Sequence, residues 1–103
     1  MNFDPANLVI YGVDAPSAAL RHIAPRVTSV HVKDALPPTA PGAMGAEVRP
    51  GEGRAELLAC FRVLRESGFS GALIIENYVA RSSKADPMDE LRFAQTFLRR
   101  SGW

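Results

Sequence analysis

The stretch Val27-Thr28-Ser29-Val30-His31-Val32-Lys33-Asp34 decides how the rest of the chain is read. It opens as a β-branched run, which favours an extended strand. Alternation sets Thr28, Val30 and Val32 on one side and Val27, Ser29, His31 and Lys33 on the other. A second run, Gly71-Ala72-Leu73-Ile74-Ile75-Glu76, sets Ala72, Ile74 and Glu76 against Leu73 and Ile75. Both runs are apolar on both faces until their C-terminal ends turn polar. Parallel strands buried on two sides read this way.

Helical signals alternate with these strands. Asp14 followed by Pro16 predicts the cap and first turn of a helix that carries Leu20 and Ile23 inward and ends at Ala24-Pro25. A second helix is predicted over 55–67, with Leu57, Phe61 and Leu64 on one stripe and Gly68 as its stop. A third starts with Asp86 as cap and Pro87 in the first turn. Its stripe is Met88, Leu91, Ala94, Phe97 and Leu98. Leu8-Val9-Ile10-Tyr11 has strand propensity but lies two residues from a cap signal, so its class stays open. The stretch 35–53, with four prolines and four glycines, is predicted to be a long loop. The alternation implies an α/β fold with a parallel sheet and right-handed crossovers. Ligands on such sheets bind beyond the C-terminal strand ends.

Length and charge narrow the classes. The 103 residues allow one domain, and twelve Lys+Arg against eleven Asp+Glu leave a net charge of +1. That balance speaks against a nucleic-acid partner. No apolar run approaches the roughly 20 residues of a membrane span. The start, Met1-Asn2-Phe3-Asp4-Pro5, lacks the basic and apolar regions of a secretory signal. A single Cys60 excludes an internal disulfide, and the expected setting is cytoplasmic.

Three side chains stand at predicted strand ends: Asp4, His31 and Glu76. If the two strands share one parallel sheet, His31 and Glu76 point to the same side at the same end. Two carboxylates and an imidazole converging there suit a divalent ion, with Zn²⁺, Mn²⁺, Co²⁺ and Mg²⁺ all compatible. Each residue also has a plain structural reading. His31 fits a core histidine bonded to a backbone carbonyl, Asp4 a cap before Pro5, and Glu76 a solvated strand end or an ion pair with Lys33. Lys33 shares the face of His31 and suits a substrate oxygen or phosphate, or else snorkels outward. Asp34 orients a neighbouring ligand or starts the loop. Gly51-Glu52-Gly53 before a helix is half of a phosphate-cradling pattern. Arg81, Arg99 and Arg100 read as surface residues, and Cys60 beside Phe61 as packing.

Taken in order, Asn2-Phe3-Asp4-Pro5-Ala6-Asn7-Leu8, Val30-His31-Val32-Lys33-Asp34, Pro50-Gly51-Glu52-Gly53 and Ile74-Ile75-Glu76-Asn77 resemble the last three βα units of sugar-phosphate isomerase/epimerase proteins. These belong to the xylose isomerase-like TIM-barrel superfamily. The resemblance implies that residues 1–103 are strands six to eight, with their helices, of a (β/α)₈ barrel. Such a barrel typically needs about 250 residues, so the isolated chain is expected to be incomplete. By the same resemblance, Asp4, His31 and Glu76 are metal ligands, and Glu76 also moves a proton as the catalytic residue. Lys33 and Asn7 are substrate contacts. The implied activity is a metal-dependent isomerisation or epimerisation of a sugar or sugar phosphate through an enediolate.

Some positions depart from the pattern. Asn7 stands where many members carry histidine, and the D-x-H pair of the superfamily's AP endonucleases is replaced by Gly45-Ala46-Glu47. A further catalytic glutamate belongs to an earlier strand that this chain does not contain. The alternatives are a keto-polyol dehydratase acting on an inosose or dehydroshikimate, and an inactive barrel piece that associates with another chain through its exposed sheet edges.

Overall fold

The structure, a computed structural model, describes residues 1–76 and 85–103. Three short parallel strands form the central sheet: β1 (Asn2–Phe3), β2 (Ser29–Val32) and β5 (Ala72–Ile75), in the order β1-β2-β5. The register aligns Asn2 with Ser29 and Ala72, and His31 with Ile74. Asp4, His31, Lys33 and Glu76 therefore cluster at one end of the sheet. Both strands expected from the β-branched and aliphatic runs are present and parallel.

Helices cover one face of this sheet. α2 (Pro16–Ile23) packs beside α3 (Leu57–Glu66), and α4 (Pro87–Arg100) reaches β5. Val30 and Val32 point into this layer and are fully buried, together with Leu20, Cys60, Phe61 and Leu64. Burying an aliphatic or aromatic side chain contributes about 1.5–3 kcal/mol, so this cluster dominates the stability of the two-layer slab. The molecule measures 38 × 34 × 20 Å, and its short dimension fits one sheet and one helical layer. On the opposite face Asn2, Ala72 and Ile74 are exposed. The expectation of burial on both faces therefore fails for β5. It is an edge strand, and its Ile74 face meets no second layer among the described residues.

Several local assignments also differ from the pattern. Leu8–Tyr11 is not a strand: α1 covers Pro5–Ile10, with Pro5 in its first turn and Asp4 as its cap. A buried side, Ala6 and Val9, outweighs the β propensity of the run. The stretch 35–53 is a loop only in part. β3 (Asp34–Leu36) and β4 (Ala46–Val48) pair antiparallel and lie over α1, where Gly45 donates its N–H to Ile10.

Asp14 does not cap α2. Ala15 takes that position in a left-handed conformation, φ 55°. The carboxylate of Glu56 supplies the cap instead, accepting from Ser17 N at 3.0 Å and from Ser17 Oγ at 2.6 Å. These bonds hold the Glu56 carboxyl below its ordinary value, against a smaller opposing push from burial.

In α4 the expected stripe holds for Ala94, which is buried, and for Leu91, Phe97 and Leu98, which are half-buried, while Met88 is exposed and Glu90 joins the buried side. Arg49 explains the buried glutamate. Its guanidinium grips Glu90 bidentately, Nη2 to Oε1 at 2.7 Å and Nε to both oxygens at 3.1 Å, and lies over the Phe93 ring. A buried glutamate needs such a partner. Asn77 of the fourth motif and Arg81 lie outside the described residues.

Candidate metal centre

Each strand end delivers one donor. Asp4 follows β1 directly, and its carboxylate divides its work. Oδ1 accepts the Asn7 N–H at 3.0 Å, closing the first turn of α1, and Oδ2 faces the cluster. The cap uses one oxygen of Asp4 and leaves the other facing the cluster. His31 projects from the uncovered face of β2. Its Nδ1 lies 3.2 Å from Asp4 Oδ2 and 2.8 Å from Glu76 Oε2. Its partners are side-chain carboxylates rather than the backbone carbonyl of a core histidine. Glu76 stands one residue past β5, on the His31 side because Ile74 aligns with His31.

These three donor atoms lie within 4.8 Å of one another, the one such His/Cys/Asp/Glu group among the described residues. Neighbouring donors around an ion with bonds of about 2.1 Å stand about 3 Å apart in an octahedral shell. The separations of 2.8 and 3.2 Å match that spacing. An imidazole nitrogen with two carboxylate oxygens suits Mn²⁺, Co²⁺, Mg²⁺ or Zn²⁺, so the residues present fit a divalent ion.

Lys33 completes the cluster. Its side chain is only 6% exposed, so it does not snorkel outward. Nζ lies 2.8 Å from Asp4 Oδ2 and 3.2 Å from Glu76 Oε2, and donates to Asn7 Oδ1 at 3.0 Å. Burial works against its charge. Hydrogen bonds and the charges of Asp4 and then Glu76 outweigh burial and hold the ammonium above the usual lysine value. The site is therefore a charge-dense knot of two carboxylates, one ammonium and one imidazole. Asp4, Asn7, His31, Lys33 and Glu76 are all brought together.

Two further residues belong to it. Asn2 Nδ2 sits 3.5 Å from His31 Nε2, and Asn2 Oδ1 accepts from Ser29 Oγ at 2.8 Å. A partner on the second ring nitrogen fixes which nitrogen faces the carboxylates. Ser29 shares a face with His31, a signal visible in the period-2 pattern. Asn2 has no such local signal, because only the register places it there.

Asp34 and the Gly51-Glu52-Gly53 loop build the surroundings rather than a ligand set. Asp34 accepts from the N–H groups of Ala35, Gly51, Gly53 and Ala55 at 2.9–3.1 Å. Gly53 must be glycine, since a Cβ would lie 2.3 Å from Asp34 Oδ1 and 2.5 Å from Ala35 O. The loop amides that would cradle a phosphate are thus spent on Asp34. Cys60 is buried, and burial pushes its thiol up to about 12, so it serves packing.

No helix among the described residues is long and apolar enough to cross a membrane. No curated protein matches the sequence. The crystal structure of a xylose isomerase domain protein from Planctomyces limnophilus superposes with a TM-score of 0.83 at 35% identity. The match covers 98% of this chain and 34% of that one, so the chain spans about a third of that protein's length. Residues 1–101 match the model of one family, and with that match the chain belongs to the xylose isomerase-like TIM barrel family.

Proposed function

We propose that the chain contributes three ligands of a divalent-metal centre to a sugar isomerase or epimerase of the barrel type. The observation that supports this most is the convergence of His31 Nδ1, Asp4 Oδ2 and Glu76 Oε2 at the separations of a coordination shell. A bound divalent ion supplies Lewis acidity toward the carbonyl and neighbouring hydroxyl oxygens of a sugar or sugar phosphate. Asp4 and His31 hold position through α1 and Asn2. Lys33 donates an N–H to a substrate oxygen, and Asn7 orients that ammonium.

Glu76 moves the proton. Its carboxylate takes the hydrogen from the carbon beside the carbonyl, and the C–H electron pair becomes the C=C bond of an enediolate. Return of the proton to the neighbouring carbon isomerises aldose and ketose. Return to the same carbon from the opposite face epimerises and needs a second carboxylate, which the family resemblance assigns to a strand outside this chain.

The test is wash-in of solvent deuterium at the carbon beside the carbonyl of a ketose, followed by NMR with and without Mn²⁺. Slow Mn²⁺-dependent exchange is expected, and E76Q is expected to lose it. Exchange equal in E76Q overturns the assignment of Glu76. Dehydration of an inosose or dehydroshikimate without exchange on ketoses overturns the isomerase reading in favour of a lyase.

A further inference from the structure

Lys33 Nζ touches the same two oxygens, Asp4 Oδ2 and Glu76 Oε2, that face His31 Nδ1. Without a countercharge, two carboxylates held this close repel, and one would be driven to its neutral form. The Lys33 ammonium supplies that countercharge from a buried stem on the strand end, so it cannot diffuse away. The cluster is thus half charge-compensated, two carboxylates against one cation tethered to the chain.

A divalent ion needs those oxygens as ligands, and an ammonium hydrogen-bonded to them competes for the same lone pairs. Two cations a few ångströms apart also repel. Asn7 Oδ1 offers the ammonium a neutral acceptor, already in contact at 3.0 Å.

We propose that Lys33 is a tethered counter-cation that holds Asp4 and Glu76 together in the metal-free protein and gives way to the divalent ion, keeping Asn7 as its partner. The inference rests on the metal reading of the cluster and deepens it. Lys33 sets the affinity of the site for its ion. The same displacement turns its N–H groups from the carboxylates toward an incoming substrate oxygen. Lys33 is here a positioning residue, acting on the ion through Asp4 and Glu76.

The test compares wild type, K33M and K33R in Mn²⁺ titrations followed by calorimetry, and in thermal melts with and without Mn²⁺. K33M is expected to bind Mn²⁺ about tenfold or more tightly than wild type, because competitor and repulsion are both gone. K33R keeps the charge and is expected within about threefold of wild type. Metal-free K33M is expected to melt below wild type and to gain more on saturation with Mn²⁺.

If metal-free K33M does not fold, K33Q carries the same expectation of tightening, since it keeps a donor to the carboxylates without the charge. Mn²⁺ affinity equal to or weaker than wild type in the charge-removing variants overturns the proposal and leaves the metal reading intact. A merely structural lysine gives that weaker binding. No Mn²⁺ binding by wild type or any variant overturns both.

Discussion

Asp4 lies just past the C-terminal end of β1 and Asp34 just past that of the neighbouring β2, where it opens β3, and their carboxylates have opposite fates. Asp34 is 2% exposed and spends both oxygens on backbone amides, Oδ1 on Ala35 and Ala55, Oδ2 on Gly51 and Gly53. Asp4 spends one oxygen on the amide of Asn7 and keeps the other for His31 and Lys33. Burial alone therefore does not mark a chemical group. A carboxylate is available to a cation only where its lone pairs are not already committed to the main chain. Lys33 and Asp34 show the same division one residue apart. Alternation sends the lysine into the charged knot and the aspartate into the loop.

The sharpest way to break this contrast is to neutralise each carboxylate in turn. D34N puts N–H groups against amide donors and is expected to lose about 3 kcal/mol in urea denaturation, within the usual range for unsatisfied buried polar groups. D4N keeps an oxygen for the Asn7 amide but turns its NH2 toward the Lys33 ammonium, which retains Glu76 and Asn7, so it is expected to lose about 1–2 kcal/mol, less than D34N. Its Mn²⁺ affinity is expected to fall by at least about tenfold. Equal destabilisation by the two changes would erase the distinction.

G53A sharpens the Asp34 side. The added methyl would meet Asp34 Oδ1, Ala35 O and Ala35 N, all closer than 3.0 Å. The expected cost is about 2 kcal/mol in the same denaturation assay, with Mn²⁺ affinity unchanged if the loop and the Asp4–His31–Glu76 cluster are independent.

The smallest effect belongs to Glu56, a third carboxylate, which caps α2 from a distance. E56A is expected to cost about 1 kcal/mol. Its folded-state carboxyl is held below the ordinary value of 4.5. The stability it contributes is therefore full above that value and is lost as pH falls through the lower, folded one. Melting curves of wild type and E56A should converge on acidification below about pH 4.5. A gap that persists there would show that the loss in E56A is packing rather than the charged cap.

Much of this was legible in the sequence, and the limits have physical causes. The strands containing Val30 and Ile74, the helix stripes of Phe61 and Ala94, and the cap at Asp86 follow from local periodicity and local hydrogen bonds. The shared face and end of His31 and Glu76 follow from alternation in two parallel strands, and Asp4 joins them through the family resemblance rather than through periodicity. What stayed hidden depends on partners far along the chain. Ser17 is capped by Glu56, Glu90 is buried with Arg49 as its partner, and the β3–β4 pair lies over α1, where Gly45 bonds Ile10. Each contact spans tens of residues and leaves no periodic trace. The ion pair of Glu76 with Lys33 is among the readings the sequence offers, whereas the contact of Lys33 with Asp4 depends on the register of β1 against β2.

The divided carboxylate of Asp4 also has a meaning in time. With Oδ1 tied to the Asn7 amide, the group cannot swing about its Cβ–Cγ bond unless the first turn of α1 opens. Such opening is local unfolding, far slower than the rotamer hops of an exposed side chain. Asn7 holds Lys33 as well, so the same opening loosens the ammonium. Reorientation of the Asp4 carboxylate and fraying of this short helix therefore share one opening, and exchange of the Asn7 amide hydrogen reports its rate.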